Sequence, residues 1–350
     1  MSMEPVKIGI VGAGFVADMF LRALEHVRHQ VVTTICDRTP GKAAVVAARF
    51  EIPTVVDKID DLVCRDDVDL VLVALPQDCH VQAVSAIASA GKGVVCTKPL
   101  GRSGVEAKAC LDAAERAHIW HGYAETEVFA PSVVKAHQLV EDGAVGKVLL
   151  VRSREAHAHP HLHARDAERM GGGPLRGLGC HCVAAGRWFL AGAQPVEVMA
   201  WGDRLARDDV NTEDNAVMLV RFDDDRLLQV EVGWTHVPGL DVRNEIHGSA
   251  GWIGTDETGS TGVRAFTQNP AGYVVEKAGS SDGWMNPVPD EVWAYGFQDQ
   301  LDHFVDCFRR HVPPRQTFAD GVVDNSVIDA GYRAMSSRVW EPVELPTGVW

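Results

Sequence analysis

Through residues 1–122 the chain alternates short Val/Ile-rich runs with longer stretches of helical period, and no other feature narrows the fold so far. Val6–Val11, Val31–Cys36, Asp69–Ala74, Val94–Cys96 and Ile119–Gly122 are brief, β-branched and bounded by Gly, Asp or Pro, so they read as strands. The intervals read as helices. Between Phe15 and Val27, apolar Val16, Phe20, Ala23, Leu24 and Val27 recur at three- and four-residue steps, and His80–Ser89 and Gly104–Ala117 behave similarly. Strands alternating with helices build βαβ units and hence a doubly wound parallel sheet, the α/β Rossmann arrangement.

The grammar changes after about Pro131. One helix (Val133–Glu141) leads through Gly143 and Gly146 to the strand Lys147–Ser153, and an irregular His- and Gly-rich stretch runs to Gly179. Strand-like runs then follow one another: Val196–Trp201, Ala216–Phe222, Leu227–Gly233, Val242–His247 and Trp252–Thr255. Strands without intervening helices predict an α+β domain with a large, mostly antiparallel open sheet. Helices over Gly296–Arg310 and Asp320–Arg333 follow. At 350 residues the chain exceeds the ~100–200 of one ordinary domain, and the change of grammar divides it into a Rossmann domain (1–122) and a substrate and oligomerisation domain (123–350). An exposed sheet face needs cover, so a homo-oligomer, dimer or tetramer, is expected.

Charge excludes several partner classes. Lys plus Arg is 33 against 48 for Asp plus Glu, and the resulting −15 repels nucleic acid and anionic membrane surfaces. The N-terminus lacks a basic segment followed by an apolar one, and no apolar run approaches the ~18 residues of a membrane span. The eight cysteines are scattered with no CxxC pair, which fits reduced thiols in a cytoplasmic protein.

The turn after the first strand carries a specific pattern. Gly12-Ala-Gly14-Phe15-Val16-Ala17 is GxGxxA at a strand–turn–helix junction, where Gly12 makes the turn, Gly14 lets backbone approach a pyrophosphate and Ala17 keeps the helix close to the sheet. The helix N-terminus offers N–H donors to phosphates. Asp37, 20 residues after Ala17 at the end of the second strand, can take both ribose hydroxyls and favours NAD; the neighbouring Arg38 keeps NADP as the other candidate. The bland alternatives are a Gly-rich turn that binds nothing and an Asp that caps a turn. Further strand ends follow at Leu75-Pro76-Gln77 and Thr97-Lys98-Pro99, and ligands of open α/β sheets sit at such carboxyl ends, so Lys98 is expected beside a nicotinamide.

The set GAGFVA, LPQDCH, TKPLG, GAVGKV and GGGPLRGLGCH, continuing through Asn244-Glu-Ile-His-Gly-Ser-Ala-Gly251 to Tyr332, resembles the Gfo/Idh/MocA oxidoreductases over nearly the whole chain. The resemblance implies an NAD(P)-dependent dehydrogenase acting on CH–OH groups of sugars, glycosides or cyclitols, with a small-molecule polyol or glycoside as substrate. Thr97-Lys98-Pro99 stands where the family has Glu-Lys-Pro, and Gly177-Leu-Gly-Cys-His181 where it has Asp-x-Gly-x-His, so the lysine and histidine are kept while the two acids are lost. Pro76-Gln77 replaces the usual Pro-Asn, Glu127-Val-Phe-Ala-Pro131 replaces Arg-Arg-Phe-Ser-Pro, and Arg154 to His161 is similar to a branch carrying His-Ser-Gly-Pro-His. The implied cofactor residues are Gly12, Gly14, Phe15, Val16, Asp37, Arg38, Leu75, Pro76, Gln77, His80, Thr97 and Lys98; Lys98, His157, His161 and His181 would meet substrate.

Oxidising a secondary alcohol needs a base at the hydroxyl, and imidazole titrates near neutrality, so His181 is expected as acid/base. Lys98 would steady charge on the oxygen. With Gly at 177, His181 is expected to lack an orienting carboxylate; a core histidine and a surface lysine are the plain alternatives. Cys180 and Cys182 read as small buried hydrophobes. His157, His159, His161 and His163 alternate at period two, which on a strand would align all four for Zn or Mn, but Pro160 interrupts it; substrate binding, a solvated loop and a metal site stay open, and no metal is assigned. Two further functions compete with the dehydrogenase: redox-neutral lyase or hydrolase chemistry with tightly held NAD, and a non-catalytic NAD-binding sensor.

Overall fold

In the computed structural model, described for residues 4–39, 41–237, 239–268 and 283–349, the chain divides into two compact units. The first comprises Met1–Glu125, Phe297–Val322 and Pro346–Trp350, the second Thr126–Gly296 and Val323–Leu345. Residues 297–322 and 346–350 thus group with the first unit although they follow Thr126–Gly296 of the second in sequence.

The first unit runs β1 (Val6–Val11), α1 (Phe15–Leu24), β2 (Gln30–Cys36), α2 (Lys42–Arg49), β3 (Thr54–Val56), α3 (Ile59–Val63), β4 (Leu70–Val73), α4 (His80–Ser89), β5 (Gly93–Thr97), α5 (Gly104–Arg116) and β6 (His121–Ala124). Its six strands are all parallel in the order β3-β2-β1-β4-β5-β6, the doubly wound arrangement. Every residue of β4 and β5 is buried, as expected for strands covered on both faces. β3 is a sixth strand that the sequence reading omits; three residues at a sheet edge, with Val55 exposed, make too short a run to register.

The second unit begins with α6 (Pro131–Glu141) and β7 (Val148–Ala156). Short helical turns α7 (Ala167–Met170) and α8 (Pro174–Gly177), inside the stretch read as irregular, lead into α9 (Gly179–Phe189), a helix that the sequence reading did not propose. Then come β8 (Pro195–Asp203), β9 (Asn215–Phe222), β10 (Leu227–Gly233), β11 (Asp241–Gly248), β12 (Trp252–Asp256), the small ribbon of β13 (Ala265–Thr267) and β14 (Gly283–Met285), and α10 (Glu291–Ala294). α11 (Phe297–Arg310) belongs to the first unit, where Phe297 meets Phe20 edge to face and Phe304 and Phe308 meet Trp120. α12 (Phe318–Ser337) and β15 (Glu341–Pro342) complete the order. The large sheet runs β12-β11-β7-β10-β9-β8-β15 and is antiparallel except where β10 pairs parallel to β7. α9 covers the inner face of β7 and β10, and Val151, Ser153 and Glu155 of β7 are buried there. Among the described residues no helix is long and apolar enough to cross a membrane.

Candidate functional site

In the first unit the Gly-rich turn and the end of β2 are one hydrogen-bonded structure. Gly12 has φ +105°, and a Cβ there would stand 2.3 Å from the Ala74 carbonyl oxygen, so a side chain is excluded twice over. Its N–H donates to the Cys36 carbonyl at 2.8 Å, and the next N–H, that of Ala13, donates to Asp37 Oδ2 at 3.0 Å. Asp37 Oδ1 accepts the Thr39 N–H at 2.8 Å. Lys42, which the sequence reading did not single out, brings its Nζ to 3.7 Å from Asp37 Oδ2.

These residues fit a dinucleotide. At Gly14, the N-cap of the ten-residue α1, no side chain caps the helix, and an added methyl group would meet only Lys42 Nζ, at 4.0 Å. The backbone there is open to a phosphate at a helix N-terminus. Each Asp37 oxygen keeps a lone pair beyond its backbone bond, the acceptors two ribose hydroxyls require. Phe15 and Arg38 are exposed beside them and Val16 is half-buried.

The ends of β4 and β5 are fixed to each other. His80, fully buried at the start of α4, sets Nε2 2.9 Å from the Leu75 carbonyl oxygen and Nδ1 3.1 Å from that of Leu100. Burial pushes its pKa down, against the pull of the two carbonyl oxygens. His80 bridges the Leu75-Pro76 and Lys98–Leu100 segments. Beyond Lys98 and the cis Lys98–Pro99 bond, Ser103 caps α5 by accepting the Glu106 N–H, and the Glu106 carboxylate accepts the Arg102 N–H at 2.9 Å. Gln77 and Thr97 are buried and Leu75 and Pro76 half-buried.

In the second unit the Gly-rich run before α9 is held by a buried triad of contacts. Gly172 has φ +141°, and a Cβ there would lie 2.0 Å from the Tyr332 hydroxyl. That hydroxyl donates to Glu213 Oε1 at 2.8 Å and accepts the N–H groups of Gly173 and Arg176 at 2.9 and 3.2 Å. Burial raises the pKa of Glu213, against the pull of its hydrogen bonds. Arg176, also buried, pairs with Asp329 and bonds Asn325. This scaffold starts α9 and so places His181 in its first turn, where the His181 N–H donates to the Leu178 carbonyl at 3.0 Å.

His181 does not lack a carboxylate. Glu155 on β7 sets Oε2 3.8 Å from His181 Nε2 and Oε1 2.9 Å from His157 Nε2, and all three side chains are buried. Beside them Glu127 accepts a bond from Asn244 Nδ2 at 2.7 Å, and Glu257, which donates to Glu127 and accepts from Ser132 Oγ at 3.3 Å, is held well above the ordinary carboxyl range by burial and by the charges of Glu127 and Glu155. The sequence reading missed Glu155 and Glu257; the acid at 127, in place of a family arginine, was the one available signal. Cys180 and Cys182 are buried, and burial raises the Cys182 thiol well above its usual value.

The four alternating histidines do not share a strand face. β7 ends at Ala156, the chain bends at 158–159, and Leu162–Arg165 forms a 3-10 turn, so His157 points inward while the half-buried His161 and His163 stack on each other at 5.8 Å. Among the described residues no group of three or more His, Cys, Asp or Glu is placed to hold a metal ion.

A family model described as the oxidoreductase family with an NAD-binding Rossmann fold matches residues 6–123, and one described as the GFO/IDH/MocA C-terminal domain matches 133–254. Inositol 2-dehydrogenase of Rhizobium meliloti (strain 1021) is 23% identical over 346 residues, covering 95% of this chain and 98% of its own. Levoglucosan dehydrogenase of Pseudarthrobacter phenanthrenivorans is 25% identical over 72% of this chain and 73% of its own. The crystal structure of GenD2 from gentamicin A biosynthesis in complex with NAD superposes with a TM-score of 0.91 at 27% identity, covering 98% of both chains.

Proposed function

Because this chain belongs to the Gfo/Idh/MocA family of NAD-binding oxidoreductases, we propose that it moves hydride between the nicotinamide and a ring secondary alcohol or ketone of a sugar, glycoside or cyclitol. The observation that carries the cofactor half is the Asp37 carboxylate, fixed by the Ala13 N–H under the Gly-rich turn, where it accepts ribose hydroxyls and repels a 2′-phosphate. Gly12, Gly14, Phe15 and Val16 form the phosphate edge, and Asp37 with Arg38 the ribose edge. Leu75, Pro76, Gln77, Thr97 and Lys98 form the nicotinamide edge, held in place by His80. The bound cofactor supplies the hydride acceptor.

The chain's own groups handle the proton and the charge. His181 takes the hydroxyl proton as the alcohol carbon is oxidised and returns it in the reverse direction. Lys98 carries an ammonium that steadies negative charge on the reacting oxygen. His157 and His161 bind substrate hydroxyls. The substrate class rests on relatives that are an inositol dehydrogenase and a levoglucosan dehydrogenase, and on the retention of Lys98 and His181 where two family acids are gone. A cytoplasmic homo-oligomer, pairing sheet faces of two copies, completes the proposal.

The test is a panel of inositols, levoglucosan and glycosides offered with NAD and with NADP while the NADH absorbance is followed. Turnover with NAD on a panel member, lost in Lys98→Ala and His181→Ala, is the expected result. NAD binding with product formation but no NADH release would instead favour the redox-neutral reading.

A further inference from the structure

We propose that Glu155 is the positioning carboxylate of His181, replacing from the neighbouring strand the acid that position 177 lacks. This deepens the proposed function and rests on His181 as the base. The geometry is specific: successive inward positions of β7 are Ser153 and Glu155, with His157 continuing the line, and α9 lies across them. One Glu155 oxygen is occupied by His157 Nε2 at 2.9 Å; the other, at 3.8 Å from His181 Nε2, is within ion-pair reach but beyond a hydrogen bond. Such a spacing leaves room to tighten when His181 gains a proton and becomes cationic, since catalytic contacts commonly shorten in the loaded site.

Other charged groups lie on the elements around the pair. From β7, Arg152 and Arg154 face the other side of the sheet, where they pair with Glu245 and Glu231. From β10, Glu231 is engaged there by Arg154. From α8, Arg176 is tied to Asp329, and from α6, His137 stacks on Trp188. The turn Glu127–Phe129 contributes Glu127, bonded by Asn244, and beyond it lies Glu257, whose carboxyl burial holds well above the ordinary range. Within α9 the flanking groups are the buried thiols of Cys180 and Cys182. A negative charge on Glu155 therefore favours the imidazolium of His181 and holds the ring by its Nε2 edge.

The decisive readout is the titration of His181 by NMR of ring-labelled histidine in the full chain, its signal identified by loss in His181→Asn. Glu155→Gln is expected to lower the His181 midpoint by about one pH unit, a tenfold change in proton affinity, as for an opposite charge removed from within ~4–6 Å. Glu155→Asp is expected to move it in the same direction by less, and it decides the matter should the Gln variant fail to fold. An unmoved midpoint in the folded variants overturns the proposal. In turnover, Glu155→Gln is expected to lower kcat about tenfold with KM nearly kept, and to shift the acid limb of the pH profile. If the wild-type protein oxidises no panel alcohol, the dehydrogenase reading fails while the His181 titration still decides on Glu155.

Discussion

The two units assemble their functional groups by opposite routes. In the first, the turn and the acid it fixes are 24 residues apart, Ala13 to Asp37, within one βαβ unit. In the second, the buried acid cluster joins Glu127 to Asn244 across 117 residues and Ser132 to Glu257 across 125, between a turn, a helix and the sheet's β11–β12 end. A site made inside one supersecondary unit keeps its residues at fixed offsets and changes little. A site made across a sheet can lose an acid in one segment and gain one in another, as with Gly177 and Glu155.

That contrast predicts which properties separate under mutation. The largest effect belongs to the groups asked to do chemistry: His181→Ala should lower kcat by about 10²–10⁴-fold, the usual contribution of a general base, while NAD affinity measured by fluorescence titration changes by no more than about twofold. Equal losses in both would break the division of labour. Next comes Asp37→Ala, which removes the acceptor of the Ala13 and Thr39 N–H groups; NAD should bind about 10–100-fold more weakly, with the NAD/NADP preference falling, and the His181 titration should stay where it was.

Smaller effects test the scaffolds. Tyr332→Phe strips the hydroxyl shared by Glu213, Gly173 and Arg176 and should cost about 1–3 kcal/mol, read as a lower urea midpoint at unchanged slope. The smallest is a pH effect. Glu257 is held above its ordinary value, so between the unfolded carboxyl pKa, about 4.3, and the folded value the native state keeps a proton that the unfolded chain has released. Stability therefore falls as pH rises through that window, and Glu257→Gln should flatten the fall. Melting temperatures of the variant and wild type at mildly acidic and mildly alkaline pH give the comparison, and parallel curves would remove Glu257 from the account.

Legibility in the sequence followed the same division. The parallel sheet was readable because its strands are short apolar runs separated by amphipathic helices; only the three-residue β3 escaped. The mostly antiparallel sheet was readable from its evenly spaced strands, while α9 was not. Nine of its residues are buried, including Gly179, Cys180, His181 and Gly186, so it shows no polar face and no helical stripe. His181 and Lys98 are proposed from family motifs; the Glu155–His181 contact was not legible, because nothing in the spacing of 155 and 181 says that β7 lies under α9. The histidine alternation misled for a related reason: period two implies a shared face only while the strand lasts, and β7 stops at Ala156.

The central claim is that a ring carbon gives its hydrogen to the cofactor held by the Asp37 turn while His181 takes the hydroxyl proton. The most direct test follows deuterium from a cyclitol or sugar labelled on the oxidised carbon. The account predicts that NADH isolated from the reaction carries that deuterium, and that His181→Ala suppresses the transfer without releasing NAD. Deuterium washed into solvent, or product formed with NAD unchanged and no label on the nicotinamide, would contradict it.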